Sequence, residues 1–451
     1  MVMNTLAFPD TTVLDIYFRY LEQAIRKRLE SYFNKENETA GLGGLPVPEM
    51  NGLQHPLPEF IKAYELNGHE LILLLTALAP HVYPDFFDRI IREQIPEAGD
   101  FPEFGGVRGK QFRGFLPTAE TALFILAGDE LNQRFEARQL FGSAHFFSKG
   151  RVLWVEEPPA GEPAMSGKLV IDQDYVDLFT VGKVSLPQRT INFPAEHLAT
   201  EMEWKDLVLP PQTWSQIREI EVWIKHHRIL MEDWGMHRKL KPGYRAMFYG
   251  PPGTGKTLTA NLLGKYTQRE VFKIDLSMAV SKYIGETEKN LASLFDRAQN
   301  KDWILFFDEA DSIFGKRTNV RDAHDKYANQ EVSYLLQRIE SYPGLAILAS
   351  NFRSNIDEAF TRRFQAIIHF PMPKPGERLA LWQKAFPPNV QLEEEASLAQ
   401  ISRQYELSGS NIMNIVQYCC LAALDKGTNV ITMENLLNGV KREFLKEGKT
   451  I

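Results

Sequence analysis

The chain has 451 residues, 44% of them hydrophobic and 24% charged, an ordinary globular balance. At roughly 150 residues per domain, that length predicts two to four domains. A net charge of -7 and a pI near 5.9 argue against a dedicated nucleic-acid binder, whose footprint is usually basic. The two cysteines, Cys419 and Cys420, are adjacent and cannot staple a domain. With no Cys/His metal spacing either, the expected setting is a reducing cytoplasm.

The N-terminal residues lack a basic stretch followed by a continuous apolar core, so no signal peptide is expected. Periodicity predicts a helix over Thr12–Phe33, then a Gly/Pro-rich irregular stretch, residues 34–60. Helical patterns resume over His69–Ile95 and Thr118–Phe141. The longest apolar run, Leu71–Ala79, is far short of the roughly 20 residues of a membrane span. The "HELIL" at His69 has Leu73 where a zinc protease needs its second histidine. Two strands, Arg151–Glu157 and Gly167–Asp172, flank the turn-rich "PPAGEPAMS". Helices followed by a hairpin suit a winged-helix-like module. Pro187–Pro211 reads as a connector.

At "YRAMFYG", from Tyr244, the pattern changes. Short apolar runs, "AMFY", "VFKIDL", "WILFF", "LAILAS" and "AIIHF", alternate with helical segments. Runs without polar alternation suit strands buried on both faces of a parallel sheet. The helices between them place Leu291, Leu294, Phe295 and Ala298 on one face, and Val332, Leu335, Leu336 and Ile339 on another. Beyond "HFPMP" the pattern is helical to the end. The expected class is α/β, and the expected domains are 1–190, 191–373 and 374–451.

Between the first of these strands and its helix lies "GPPGTGKT", comprising Gly250, Pro251, Pro252, Gly253, Thr254, Gly255, Lys256 and Thr257, with Leu258 next. Its glycines let backbone N–H groups turn inward at a helix N-terminus, where the dipole favours phosphate. Lys256 is then placed to reach the β- and γ-phosphates of ATP, and the Thr257 hydroxyl to ligate Mg²⁺. "WILFFDEAD" delivers Asp308 and Glu309 to the carboxyl end of a strand, where ligands bind in open α/β sheets. Asp308 is the candidate for the Mg²⁺ shell and Glu309 for polarising a water. An aspartate there also serves as a plain helix cap. Asn351, after "LAS", is the third polar group expected at that edge; an asparagine after a strand is otherwise a common turn residue.

The ordered set "GPPGTGKT", "SKYIGETEKN", "FFDEAD", "ASN" and "DEAFTRRF" resembles the AAA+ ATPases, in particular the AAA group proper, over about Trp204–Phe444. The resemblance implies a P-loop AAA+ domain, a five-stranded parallel sheet with a four-helix lid. It also implies a ring hexamer that uses ATP to pull, unfold or disassemble other macromolecules, usually proteins. Arg362 and Arg363 match the family's two arginines, without the two residues that usually separate them. A pair of arginines is ordinarily a solvated face; here the resemblance implies fingers that reach the neighbouring subunit's ATP. Lys282, Tyr283 and Ile284 match a channel loop that grips an extended polypeptide. Tyr283 packed locally is the alternative. Thr318–Lys326 matches a second, polar channel loop less closely.

Within the same resemblance, Leu207 and Val208 lie beside the adenine, and Ser408 and Gly409 match the lid motif. The following helix carries Ile412, Ile415, Val416 and Cys419 on one face, so Cys419 reads as core. More narrowly, "DEAFTRRFQAIIHFP" and the helical N-terminal region look like AAA ATPases encoded beside bacterial contractile injection systems. The leading expectation is therefore a protein-remodelling motor, with residues 1–190 docking client or adaptor and no membrane partner. Two alternatives stand beside it: a nucleic-acid motor or loader docking through the winged helix, and a slow nucleotide switch or scaffold. The acidic balance and the Tyr-Ile pair weigh against the first, and Glu309 with Arg363 against the second.

Overall fold

The computed structural model describes residues 9–33, 45–48, 55–94, 101–190, 193–274, 286–299, 301–310, 333–351, 362–393 and 397–448. The chain divides into two compact units, Met1–Leu186 and Pro187–Ile451. Among the described residues no helix is long and apolar enough to cross a membrane.

In the first unit, α1 (Thr11–Phe33), α2 (Pro56–Ala63), α3 (Gly68–Val82) and α4 (Phe86–Gln94) precede a short antiparallel pair, β1 (Val107–Arg108) and β2 (Phe115–Leu116). Next come α5 (Ala119–Ala127), α6 (Leu131–Arg138) and α7 (Phe146–Lys149), then the hairpin of β3 (Leu153–Val155) and β4 (Leu169–Ile171), and α8 (Gln173–Val181). Helix α3 is the spine of this unit: Leu71 through Pro80 are all buried, and an Asn67–Glu70 capping box fixes its start. The stretch read as irregular is helical at its end, because His55 caps the first turn of α2 and Pro56 supplies a preset φ. The long helical pattern of residues 118–141 breaks at Gly128, whose φ of 58° ends α5. The expected hairpin is present. Leu153, Leu169 and Ile171 seat it in the core, and the chain continues into α8.

The second unit opens with β5 (Ala195–Leu198), α9 (Pro211–Arg228), β6 (Tyr244–Tyr249), α10 (Lys256–Thr267) and β7 (Val271–Ile274). It continues with α11 (Glu286–Gln299), β8 (Ile304–Phe307), α12 (residues 333–341), β9 (Leu345–Ser350) and β10 (Ala366–His369). The sheet order is β10-β6-β9-β8-β7-β5. Five strands are parallel, as expected from the five apolar runs. The sixth corrects the five-stranded expectation: β5, from the supposed connector, pairs antiparallel with β7, Ala195 opposite Ile274 and Leu198 opposite Val271. Phe193 anchors it, packing edge-on against Phe272 with ring centroids 5.6 Å apart.

Alternate strand residues feed two separate cores. Phe306, Ile347 and Phe248 face α9 and α10, contacting a cluster with Ile217, Ile220 and Leu263. Leu305, Phe307 and Leu348 face the other way, toward Leu291, Leu294 and Phe295 of α11 and Leu335, Leu336 and Ile339 of α12. This burial of both faces is why the strand runs read as continuously apolar. Val332 lies outside the described residues.

Four helices follow, α13 (Pro375–Ala385), α14 (Leu398–Gln404), α15 (Gly409–Asp425) and α16 (Met433–Lys446). They share a core around Trp382 and Leu436. The all-helical expectation needs one amendment: β11 (Gln391–Leu392) and β12 (Val430–Ile431) form a two-residue parallel ladder. Cys419 is wholly buried in that core, as its helical position predicts. Burial, with a smaller contribution from neighbouring Cys420, pushes its thiol up to about 12. At pH 8 the thiolate population is then roughly 10³-fold below that of an ordinary cysteine. A thiol reagent is expected to label Cys419 only as the C-terminal helices unfold; labelling of folded protein at the rate of a free thiol would contradict this packing.

Candidate nucleotide site at the carboxyl edge of the sheet

Parallel pairing of β6, β9 and β8 brings the three segments after them to one edge. The first is the glycine-rich loop between Tyr249 and α10. Gly250, Gly253 and Gly255 have φ of 148°, 73° and 99°, conformations that L side chains rarely adopt. Space enforces the same choice. A Cβ on Gly250 would meet the Phe370 carbonyl oxygen at 2.0 Å, and one on Gly253 the Ser410 Oγ at 1.8 Å. Lys256, the first residue of α10, is buried and donates from Nζ to the carbonyls of Gly250 (2.6 Å) and Pro251 (3.0 Å). The Thr254 hydroxyl ties the loop to the Pro251 carbonyl at 2.8 Å.

Asn351, directly after β9, reaches the same lysine: Lys256 Nζ donates to its Oδ1 at 3.3 Å. Asp308 and Glu309 follow β8. Their backbone is held by the Ala310 N–H, which donates to the Ala349 carbonyl at 2.9 Å. Glu309 takes a φ of 50°, an uncommon setting for a non-glycine residue, and is exposed. Asp308 Oδ2 lies 2.7 Å from Lys273 Nζ on β7, an ion pair that the sequence reading missed. Its one signal was a lysine inside an otherwise apolar strand.

These groups share a cleft of about 630 Å³, within the range of small-ligand pockets. Pro252 through Leu258 form one wall, and Asp308, Glu309 and Asn351 line it too. Leu207 and Val208 line it from the segment before α9. That segment is held by Lys265, whose Nζ donates to the Glu201 and Met202 carbonyls at 3.1 and 2.8 Å. Gly409, Ser410 and Met413 close it from α15, and the Ser410 N–H donates to the Gly253 carbonyl at 3.3 Å. Ser408 stands just behind as the cap of α15, accepting from the Asn411 N–H at 3.3 Å. Ser410, Met413 and Leu381 are cleft residues that sequence reasoning did not single out. Gly250, Pro251 and Ser408 do not line the cleft, although each contacts a residue that does.

Arg362 and Arg363 are exposed and outside the cleft. Arg363 Nη1 pairs with Glu340 Oε1 of α12 at 2.9 Å, and Glu340 also accepts from Lys241 Nζ at 2.8 Å. The Lys241 hydrogen bond, more than the Arg363 charge, holds the Glu340 carboxyl below its usual range. Arg362 makes no comparable ion pair among the described residues. Lys282, Tyr283 and Ile284, and the second loop Thr318–Lys326, lie outside the described residues. A larger open groove of about 1160 Å³ beside α9, walled by Trp204, Trp214 and Tyr266, is lined by neither the glycine-rich loop nor Asp308, Glu309 or Asn351.

A parallel sheet with a glycine-rich loop entering a helix, an acidic pair after one strand and an amide after its neighbour defines a P-loop nucleotide-binding domain. Residues 246–372 match the ATPase family associated with various cellular activities (AAA). The chain thus carries an AAA ATPase domain. It is 28% identical over 240 residues to a 26S proteasome regulatory subunit 6B homolog of Dictyostelium discoideum, covering 51% of this chain and 58% of that one. It is 31% identical over 215 residues to a proteasome-activating nucleotidase of Aeropyrum pernix, covering 45% and 51%. A proteasome-activating nucleotidase of Saccharolobus islandicus is 27% identical over 251 residues, covering 52% and 64%. The chain therefore spans about half to two thirds of the length of these relatives.

Replacing Lys256 by Ala removes the cleft's buried ammonium. ATP affinity, read by calorimetry, is expected to fall roughly 10- to 10²-fold or more, the loss of a charge-assisted hydrogen bond. Unchanged affinity would mean that phosphate does not sit on this loop.

Proposed function

We propose that the chain is an ATPase that couples hydrolysis to the remodelling or unfolding of protein complexes. The observation that carries this is the shared cleft, in which Lys256, Asn351, Asp308 and Glu309 converge beside the glycine-rich loop. Loop N–H groups and Lys256 bind the phosphates, while Leu207 and Val208 offer apolar contact to the base. The residues also fit Mg²⁺: the Thr257 hydroxyl and Asp308 carboxylate are hard oxygen donors on the same cleft. Bound there, the ion would neutralise phosphate charge. Glu309 accepts the proton of the attacking water, and Asn351 orients that water against the γ-phosphate.

Arg362 and Arg363 stand outside their own cleft, which favours a role in completing a neighbour's. The reading is accordingly a homo-oligomer, in the form of a hexameric ring, with hydrolysis dependent on assembly. Because Glu340 holds Arg363 within the subunit, Arg362 is the readier finger. The printed names of the relatives, proteasome-activating nucleotidase and proteasome regulatory subunit, support a protein client. Tyr283 and Ile284, flanked by Lys282, would grip it in the channel. Residues 1–190 would dock client or adaptor, 191–373 bind nucleotide, and 374–451 form the lid. The narrower resemblance of "DEAFTRRFQAIIHFP" supports a contractile injection particle as the complex acted upon.

Glu309→Gln is expected to bind ATP normally while turnover falls at least ~10²-fold; undiminished hydrolysis would reject Glu309 as base. Mixing Arg362→Ala subunits into wild-type protein should depress activity more steeply than the mutant fraction. A strictly proportional loss would mean that each subunit works alone. Tyr283→Ala should spare basal hydrolysis and abolish remodelling, measured by release of protein trapped on Glu309→Gln in ATP. Trapped nucleic acid indifferent to Tyr283 would turn the reading to a nucleic-acid motor.

A further inference from the structure

Strand β7 has four residues, and three of them are buried in the sheet's two apolar cores: Val271 on the α9/α10 side, Phe272 and Ile274 on the other. Lys273 sits on the same face as Val271, because side chains alternate along a strand. That is the side on which α10 and the glycine-rich loop lie. Parallel pairing sets Lys273 opposite Phe306, two residues before Asp308. Its side chain therefore runs toward the strand's carboxyl end and places Nζ 2.7 Å from Asp308 Oδ2. Asp308 Oδ1 accepts from the Glu309 N–H at 3.1 Å. Both carboxylate oxygens thus have partners before any ion arrives.

From this geometry we infer that Lys273 is a built-in counter-cation of Asp308, and that it sets how much divalent metal the nucleotide site requires. The inference deepens the proposed ATPase reading and rests on it. Mg²⁺ and the Lys273 ammonium draw on the same carboxylate, and they repel each other within a few ångströms. The protein therefore meets nucleotide with Asp308 neutralised, which lessens its repulsion of the incoming triphosphate. It then yields that carboxylate to the metal at an electrostatic cost. Lys273 is a positioning residue: it touches Asp308, not the reacting atoms. Its side chain is 37% exposed and that of Asp308 28%, so the effect is partly screened.

The test uses the full chain and two separate binding measurements: a non-hydrolysable ATP analogue in EDTA, then Mn²⁺ titrated by electron paramagnetic resonance into protein saturated with that analogue. In Lys273→Met, Mn²⁺ is expected to bind about tenfold tighter than in wild type, the order given by one neighbouring charge at intermediate dielectric. Metal-free analogue binding is expected to weaken severalfold. Lys273→Arg keeps the charge and should hold both values within about threefold of wild type. A residue that only supports the strand would weaken both measurements together. Unchanged or weaker Mn²⁺ binding in Lys273→Met, with the analogue still bound, overturns the inference alone. Lys273→Gln repeats the test with a polar neutral group. Loss of folding in both neutral variants would make the pair a structural strut and overturn it equally. Failure of the wild-type chain to bind the analogue at all would overturn the ATPase reading and this inference with it.

Discussion

The parallel register of β6, β9 and β8 is the constraint from which the cleft follows. These strands run the same way and pair residue for residue: β6 and β9 end level, Tyr249 opposite Ser350, and β8 ends two residues earlier, Phe307 opposite Leu348. The loop after Tyr249, the amide after Ser350 and the acids after Phe307 then emerge side by side. Such a sheet is stable only when both faces are covered, since parallel strands carry apolar side chains in both directions. The helices α9 to α12 supply that cover. Removing apolar contact from either face would loosen the strand ends before it touched any residue of the cleft.

The site's electrostatics are arranged around that edge. Lys256 spreads its charge over two loop carbonyls and Asn351, and Asp308 is matched by Lys273. Lys256 and Asp308 thus each have an internal partner. Burying such charges unpartnered would be costly, and pairing them holds their side chains ready at the cleft. Glu309 is exposed, at a backbone angle few residues adopt, and the pairing of Ala310 with Ala349 helps hold it there.

Much of this was legible in the sequence because it rests on stringent local demands. A loop that must turn at positive φ and admit another chain at Gly253 permits little but glycine, and buried parallel strands permit little but apolar runs. What escaped rests on partners distant in the chain. Strand β5 has buried Ala195 followed by exposed Glu196 and half-buried His197 and Leu198, so no apolar run announces it; its pairing depends on β7, over seventy residues later. The two-residue strands β11 and β12 are too short to leave a pattern. Lys273 lies within the run "VFKIDL", and only the sheet register brings its ammonium to Asp308. The pairing of Arg363 with Glu340 is equally invisible in "TRRF", because it depends on how α12 packs under the sheet.

The contact between Gly253 and Ser410 has a mechanical consequence. The glycine-rich loop and the start of α15 touch so closely that not even a methyl group fits between them. Two surfaces at that separation act as a tooth against a stop: a shift of the loop toward α15 meets the Ser410 side chain at once. The four C-terminal helices share one core around Trp382, so α15 cannot tilt without drawing α13, α14 and α16 along. Whatever tilt the contact imparted to α15 would be carried along its seventeen residues into the core that the four helices share.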